Sequence, residues 1–106
     1  MRDVPQADCV VAAASSIANL TYKLPKECGE KFYLIQGLED WTMDKDDLNK
    51  TFRLPMHKIV VSGWLEELVS AQDNDVVKIT NAIDHKDFYL KEPIEKRCRF
   101  NLCMLN

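Results

Sequence analysis

The chain has 106 residues, a formal net charge of −3 and 46% hydrophobic residues, a composition that predicts one globular domain over residues 1–106. Its longest apolar run, from Cys9 to Ala14, is far shorter than the roughly 20 residues of a transmembrane helix, so no membrane insertion is expected. Mild acidity without a strong basic cluster argues against nucleic acid as a partner.

The first predicted element is a helix from Ala7 to Leu24. Apolar residues repeat there at helical spacing, and Asn19 falls on the opposite side, where it is expected to face solvent. After a proline, residues 31–36 predict a short strand, because they are rich in aromatic and branched side chains and a glycine follows them. A short helix is expected next from Met43 onward, within an acidic segment.

The chain is organised around the segment from Phe52 to Gln72. We expect one helix through this segment, and its apolar stripe, which contains Trp64, should make it the best-buried element of the protein. Gly63 and the β-branched residues before it leave a second interpretation open. In that alternative, residues 57–61 form a strand, the chain bends, and a short helix begins at Trp64.

After residue 75, the spacing of apolar residues fits both the period of a helix and the period of a strand. Residues 76–86 predict a further helix, with a strand at Val77–Thr80 as its rival. Residues 97–105 fit either a strand or a helix. The sequence therefore predicts a mainly α protein, a short-chain helical bundle with one or two short β-strands. The alternative is an α+β domain with one long helix on an antiparallel sheet.

Four cysteines and two glycosylation motifs indicate whether the protein is secreted or cytosolic. The cysteines are Cys9, Cys28, Cys98 and Cys103, which permit two disulfides in three connectivities. The motifs place Asn19 and Asn49 as acceptor residues. Together they favour a secreted, extracellular and glycosylated protein. The alternative is a cytosolic domain with buried free thiols.

No pattern in the sequence predicts catalysis. His57 and His85 are expected to be packed or solvent-exposed imidazoles, and no paired CxxC or HxxxH spacing indicates a metal site. No glycine-rich phosphate loop is present. We therefore expect no enzyme activity, no cofactor and no metal, and recognition through the protein surface instead.

The order of predicted elements resembles the short-chain four-helix cytokines, the group that contains stem cell factor and macrophage colony-stimulating factor. Cys9 opens the first helical region, Leu24-Pro25 ends it, and Cys28 precedes the strand at Phe32–Ile35. The segment from Ile59 to Leu68 is similar to the second helix of that bundle. The resemblance implies a secreted ligand that binds a cell-surface protein receptor, often as a homodimer.

That resemblance also implies where the receptor would bind. The expected receptor-facing residues are charged, with Lys26 or Glu30 near the strand and four acidic residues in the loop after it: Asp40, Asp44, Asp46 and Asp47. The alternative function is a small secreted α+β inhibitor or effector, or an intracellular protein-interaction module.

Overall fold

The computed structural model describes residues 4–96, in which strands and helices alternate along the chain. Single 3-10 turns lie at Lys26–Cys28 and Ile94–Lys96. The main elements are β1 (Cys9–Ala12), α1 (Ser15–Tyr22), β2 (Glu30–Ile35), α2 (Lys45–Phe52), β3 (His57–Val60), α3 (Gly63–Ser70) and β4 (Val76–Lys78). This order is three consecutive β-α-β units.

The four strands form one parallel sheet in the order β1-β2-β3-β4. Val11 pairs with Phe32, and Phe32 pairs with His57 in the next strand. Right-handed crossovers between strands in sequential order place every helix on the same face of the sheet. The fold is therefore α/β, with one layer of helices.

The hydrophobic core lies between the sheet and its helices. The strands contribute alternate residues that point to one face, as the two-residue period of a strand requires. Each large side chain in this layer contributes about 1.5–3 kcal/mol when fully buried. The core residues are Ala12, Tyr33, Ile35 and Val60 from the strands, Ala18 from α1, Leu48 and Phe52 from α2, Leu65 and Val69 from α3, and Met56 before β3.

The opposite face of the sheet is uncovered by residues 4–96. Val11 is 49% exposed and Val77 is 55% exposed, while Phe32, Leu34 and Ile59 are partly buried. We call these five residues the open face. Parallel sheets normally carry a layer on both faces, so an apolar face of this kind is unusual.

The prediction of a mainly α helical bundle is wrong, because the structure has a four-stranded parallel sheet. The segment 7–24 contains β1 before α1, and residues 76–78 form β4 rather than a helix. The antiparallel sheet of the alternative is also wrong, since all three strand pairs are parallel. The helix-like spacing in segment 7–24 did not mark a buried face, because Ala13, Ile17 and Leu20 are exposed, while Ala12 and Ala18 contribute to the core.

The central segment follows the second interpretation given above. It forms β3, a bend and α3, and Trp64 is 56% exposed while its neighbour Leu65 is buried. The single helix with a buried Trp64 is therefore wrong. The predictions of a strand at residues 31–36 and of a short helix beyond Met43 are confirmed by β2 and α2.

The predicted disulfides are wrong for the two cysteines that the structure describes. Cys9 is exposed, Cys28 is buried, and both carry free thiols. Cys98 and Cys103 lie outside the described residues, as does the segment 97–105. Within residues 4–96, no helix has the length and apolar character needed to span a bilayer.

Candidate functional site

The carboxyl ends of the parallel strands lie at one edge of the sheet, which we call the carboxyl edge. Three connections leave it: residues 13–14 between β1 and α1, 36–44 between β2 and α2, and 61–62 between β3 and α3. The sequential order β1-β2-β3-β4 has no reversal of the kind at which open parallel sheets bind their ligands, but loops and helix N-termini, which offer free backbone donors, converge at this edge. The carboxyl edge is therefore the candidate site.

The connection between β2 and α2 folds against the N-terminus of α1. The backbone N–H of Ser15 donates to Glu39 Oε2 at 2.6 Å, and the Thr42 hydroxyl donates to the Glu39 backbone oxygen at 2.8 Å. The Ser15 hydroxyl lies 3.0 Å from Thr42 Oγ1 and donates to it, since the Thr42 proton is already used. The Glu39 carboxylate thus occupies the position at the start of α1 that favours an anion.

The turn between β3 and α3 offers hydrogen-bonding groups instead. Within the described part of the chain, Ser62 Oγ is buried without a hydrogen-bond partner, and no side chain caps α3. The first hydrogen bond of α3 runs from the Glu66 N–H to the Ser62 oxygen at 3.0 Å. The amides of Gly63 and Trp64 lie before it, so they have no partner inside the helix. The space where a Gly63 Cβ would lie has no neighbour within 4 Å, so a ligand has room to approach this backbone.

Two exposed tryptophans belong to segments that begin at the carboxyl edge. Trp64 lies in the first turn of α3, and Trp41, in the connection between β2 and α2, is 76% exposed. Indole rings combine a large apolar surface with one N–H donor, and they are enriched where a protein meets a partner. The carboxyl edge therefore presents aromatic surface next to polar groups, as small-molecule sites do.

The carboxyl edge is also acidic. Residues 39–47 contain five carboxylates and one lysine, and the four predicted receptor-facing residues are exposed within it: Asp40, Asp44, Asp46 and Asp47. Asp46 and Asp47 lie in the first turn of α2, where the helix dipole favours them. This negative charge repels free anions.

The opposite, amino edge of the sheet holds a histidine between two carboxylates. His57 Nε2 lies 2.8 Å from Glu30 Oε1, and His57 Nδ1 lies 2.8 Å from Asp75 Oδ2. The hydrogen bond to Glu30, followed by that to Asp75, raises the pKa of His57 above its ordinary value of 6.5. The ring also contacts Phe32, with centroids 5.1 Å apart.

A cavity of about 390 Å³ lies near the amino end of β2 and is lined by Lys26, Gly29, Glu30, Lys31 and Pro55. The Lys31 amine already donates to the Tyr22 carbonyl at 2.6 Å and to the Leu24 carbonyl at 2.5 Å. The carboxyl edge is the stronger candidate, because in the described part of the chain it holds a helix N-terminus without a side-chain cap and a buried hydroxyl without a partner. Among residues 4–96, no three acidic, histidine or cysteine side chains are placed to share a metal ion.

Comparison with protein-family models, curated proteins and solved structures found no match to this chain.

The structure brings some of the predicted site residues together and separates others. Asp44, Asp46 and Asp47 lie at the start of α2 and Asp40 lies in the connection before it. Lys26 and Glu30 lie toward the amino end of β2. Asn19 is exposed on α1 and Asn49 is partly buried on α2, and glycosylation of both stays a prediction. His57 lies in β3 rather than in a helix.

Sequence reasoning did not single out Ser15, Glu39 or Ser62 as site residues. The first two meet through a contact between residues 24 positions apart, for which the sequence has no local signal. Ser62 had such a signal, because the strand, bend and helix of the second interpretation place it at the carboxyl end of a strand.

Proposed function

We propose that this chain binds a small, uncharged, hydroxyl-rich ligand, the chemistry of a carbohydrate, at its carboxyl edge. The observation that carries the proposal is that the start of α3 combines an exposed Trp64 ring, amides without a partner inside the helix, and the Ser62 hydroxyl, which is buried and unpartnered among the described residues.

The charge of the site argues for a neutral ligand. Helix N-termini attract phosphate and carboxylate groups, but α1 already carries the Glu39 carboxylate at its start. The exposed carboxylates of residues 40–47 add further negative charge. Hydroxyl groups suit both the carboxylates and the backbone amides of this site, because they donate hydrogen bonds to carboxylates and accept them from amides.

The exposed indole supplies the apolar part of recognition. The face of an aromatic ring carries negative charge density and attracts positively polarised hydrogens, and a rigid ring loses little conformational entropy on binding. A sugar ring presents C–H groups on one face and hydroxyls at its rim. Trp64 therefore contacts the C–H face of the ligand, while Ser62 turns about its side-chain bond to meet a hydroxyl.

Tryptophan fluorescence during titration with glucose, galactose and mannose tests this proposal. We expect saturable binding of at least one of these hexoses, and Trp64→Ala should weaken it about tenfold, as the loss of about 1.4 kcal/mol requires. The control is Tyr89→Ala, which removes an exposed aromatic ring from the segment after β4. It should leave the affinity unchanged.

Inorganic pyrophosphate serves as the anionic probe in the same experiment. Binding of pyrophosphate in preference to all three hexoses would overturn the assignment of a neutral ligand. The absence of saturable binding by any hexose would overturn the carbohydrate proposal itself.

A second function, protein interaction, is favoured by the open face. Its apolar residues lie in adjacent rows of the sheet, since Leu34 pairs with Ile59 and Ile59 pairs with Val77. Contiguous exposed apolar surface of this kind marks interaction sites. We propose that a protein surface with apolar side chains covers the open face, as the second layer of a parallel sheet normally does.

A lysine substitution on the open face tests the interaction. Val77→Lys should reduce the fluorescence of the apolar dye ANS, because it places a charge on the exposed apolar surface. The matched control is Ile83→Lys, which changes an exposed apolar residue beyond β4. Equal effects of both substitutions would show that the open face is not the interaction surface.

The secreted receptor-ligand function stays a prediction. The family resemblance behind this prediction depended on a helical bundle, and residues 4–96 do not form one. Binding of a receptor ectodomain through the aspartates at the start of α2 would support it.

A further inference from the structure

We propose that His57 is a pH-dependent clamp that holds the amino end of β4 to the rest of the sheet. The clamp consists of the His57 imidazole, the Glu30 carboxylate at the start of β2 and the Asp75 carboxylate immediately before β4. It lies at the amino edge of the sheet and is separate from the carboxyl edge.

The hydrogen bonds of the ring require a particular protonation state. Both carboxylates only accept hydrogen bonds when ionised, so both ring nitrogens must donate, which an imidazole does only when it carries a proton on each nitrogen. Within residues 4–96, Glu30 and Asp75 are the charged groups that bond the ring, and the uncharged Phe32 ring also contacts it. Loss of one proton therefore breaks one of the two bonds.

The strand that the clamp holds is short and weakly attached. β4 has three residues and lies at the edge of the sheet. Its amino end is held by the clamp, by a hydrogen bond from Lys58 N to the Asp75 oxygen at 3.1 Å, and by an ion pair between Lys58 and Asp73. Only the clamp contains a group whose ordinary pKa lies near neutral pH.

The direction of the His57 pKa shift determines whether the clamp stabilises β4 at low or at high pH. The folded state raises the pKa of His57 above 6.5, so the clamp contributes its full stabilisation below that pH. The contribution is lost as the pH rises through the folded pKa. β4 should therefore loosen at its amino end as the pH rises through the folded pKa of His57, while the core remains folded.

Nuclear magnetic resonance of the His57 imidazole from about pH 5 to about pH 9 tests the clamp. We expect the midpoint of the His57 titration to fall in both Glu30→Gln and Asp75→Asn. The control Glu27→Gln, in the 3-10 turn at Lys26–Cys28, should leave it unchanged. A midpoint that is the same in all four proteins would overturn the proposal.

Hydrogen exchange supplies a second measurement that needs no variant. The Lys58 amide donates to the Asp75 oxygen at 3.1 Å at the amino end of β4, and the Leu48 amide in α2 donates to the Asp44 oxygen at 2.9 Å. Protection of Lys58 relative to Leu48 should fall about threefold as His57 loses its proton, the size expected for an exposed pair. A ratio that stays constant across this pH range would overturn the clamp.

Discussion

Lys58 in β3 and Asp73 in the connection before β4 form an ion pair in which the lysine side chain is completely buried. The Lys58 amine also donates to the Leu54 carbonyl. The hydrogen bond from Lys58 holds the pKa of Asp73 below its ordinary value of 3.8. A charge on the helix-covered face of the sheet is thus satisfied by one carboxylate and one backbone oxygen, and it fixes the chain that leads into β4.

Removal of the Asp73 charge should destabilise the protein strongly. Asp73→Asn leaves the buried Lys58 ammonium without an ionised partner, and we expect a loss of about 3 kcal/mol in the free energy of unfolding by urea. The matched control is Asp47→Asn, whose partner Lys50 lies 3.5 Å away with both side chains mostly exposed. It should cost less than about 0.5 kcal/mol, and a similar loss in both variants would contradict this interpretation.

The ion pair between Lys58 and Asp73 also predicts how the free energy of unfolding changes as the pH falls. Because the folded state lowers the pKa of Asp73, the contribution of this carboxylate is complete above its unfolded value and is lost as the pH falls through the folded one. We expect the free energy of unfolding to decline less steeply in Asp73→Asn than in the wild type below about pH 4. Parallel curves from urea unfolding would show that Asp73 does not titrate in the folded state as proposed.

Adjacent residues of α3 should respond differently to truncation. Leu65 is buried in the core and Trp64 is largely exposed, so Leu65→Ala should cost about 3 kcal/mol and Trp64→Ala less than about 1 kcal/mol. Urea unfolding of the two variants measures this difference. A larger loss from Trp64→Ala would restore the tryptophan-centred helix that the sequence predicted.

A glycine substitution tests the packing of β1 against β2. Gly29 has a φ of 101°, and a Cβ there would lie 2.6 Å from the Ala7 carbonyl oxygen. Gly29→Ala should therefore cost about 2 kcal/mol or more in the free energy of unfolding. Gly37→Ala is the control, because nothing lies within 4 Å of its Cβ position. Equal stability of the two variants would contradict the close approach at Gly29.

Local sequence predicted β2 and α2 correctly because each carries its own signal. β2 is dense in aromatic and branched residues, and α2 begins beside acidic residues that suit a helix N-terminus. β1 and β4 are only four and three residues long, and they are strands because they pair with β2 and β3. A four-residue apolar run such as β1 does not distinguish a strand from part of a helix.

The candidate site was less accessible to sequence reasoning than the fold. The acidic residues 40–47 were recognised from composition, but their position at the carboxyl edge depends on the parallel direction of the strands. The hydrogen bond between Ser15 and Glu39 joins two separate connections. Trp64 was assigned to the core because its spacing matches the apolar stripe, although the stripe on α3 is carried by Leu65 and Val69.

The measurement that tests the proposed function most directly is a map of backbone amide shifts during titration with glucose, galactose and mannose. We expect saturable shifts for Ser62, Gly63 and Trp64 and for the connection at residues 36–44, where the carboxyl edge offers its donors and its exposed rings. Shifts confined to the cavity near Lys26 and Pro55, or no saturable shift with any of the three sugars, would contradict the assignment of the carboxyl edge as a carbohydrate-binding site.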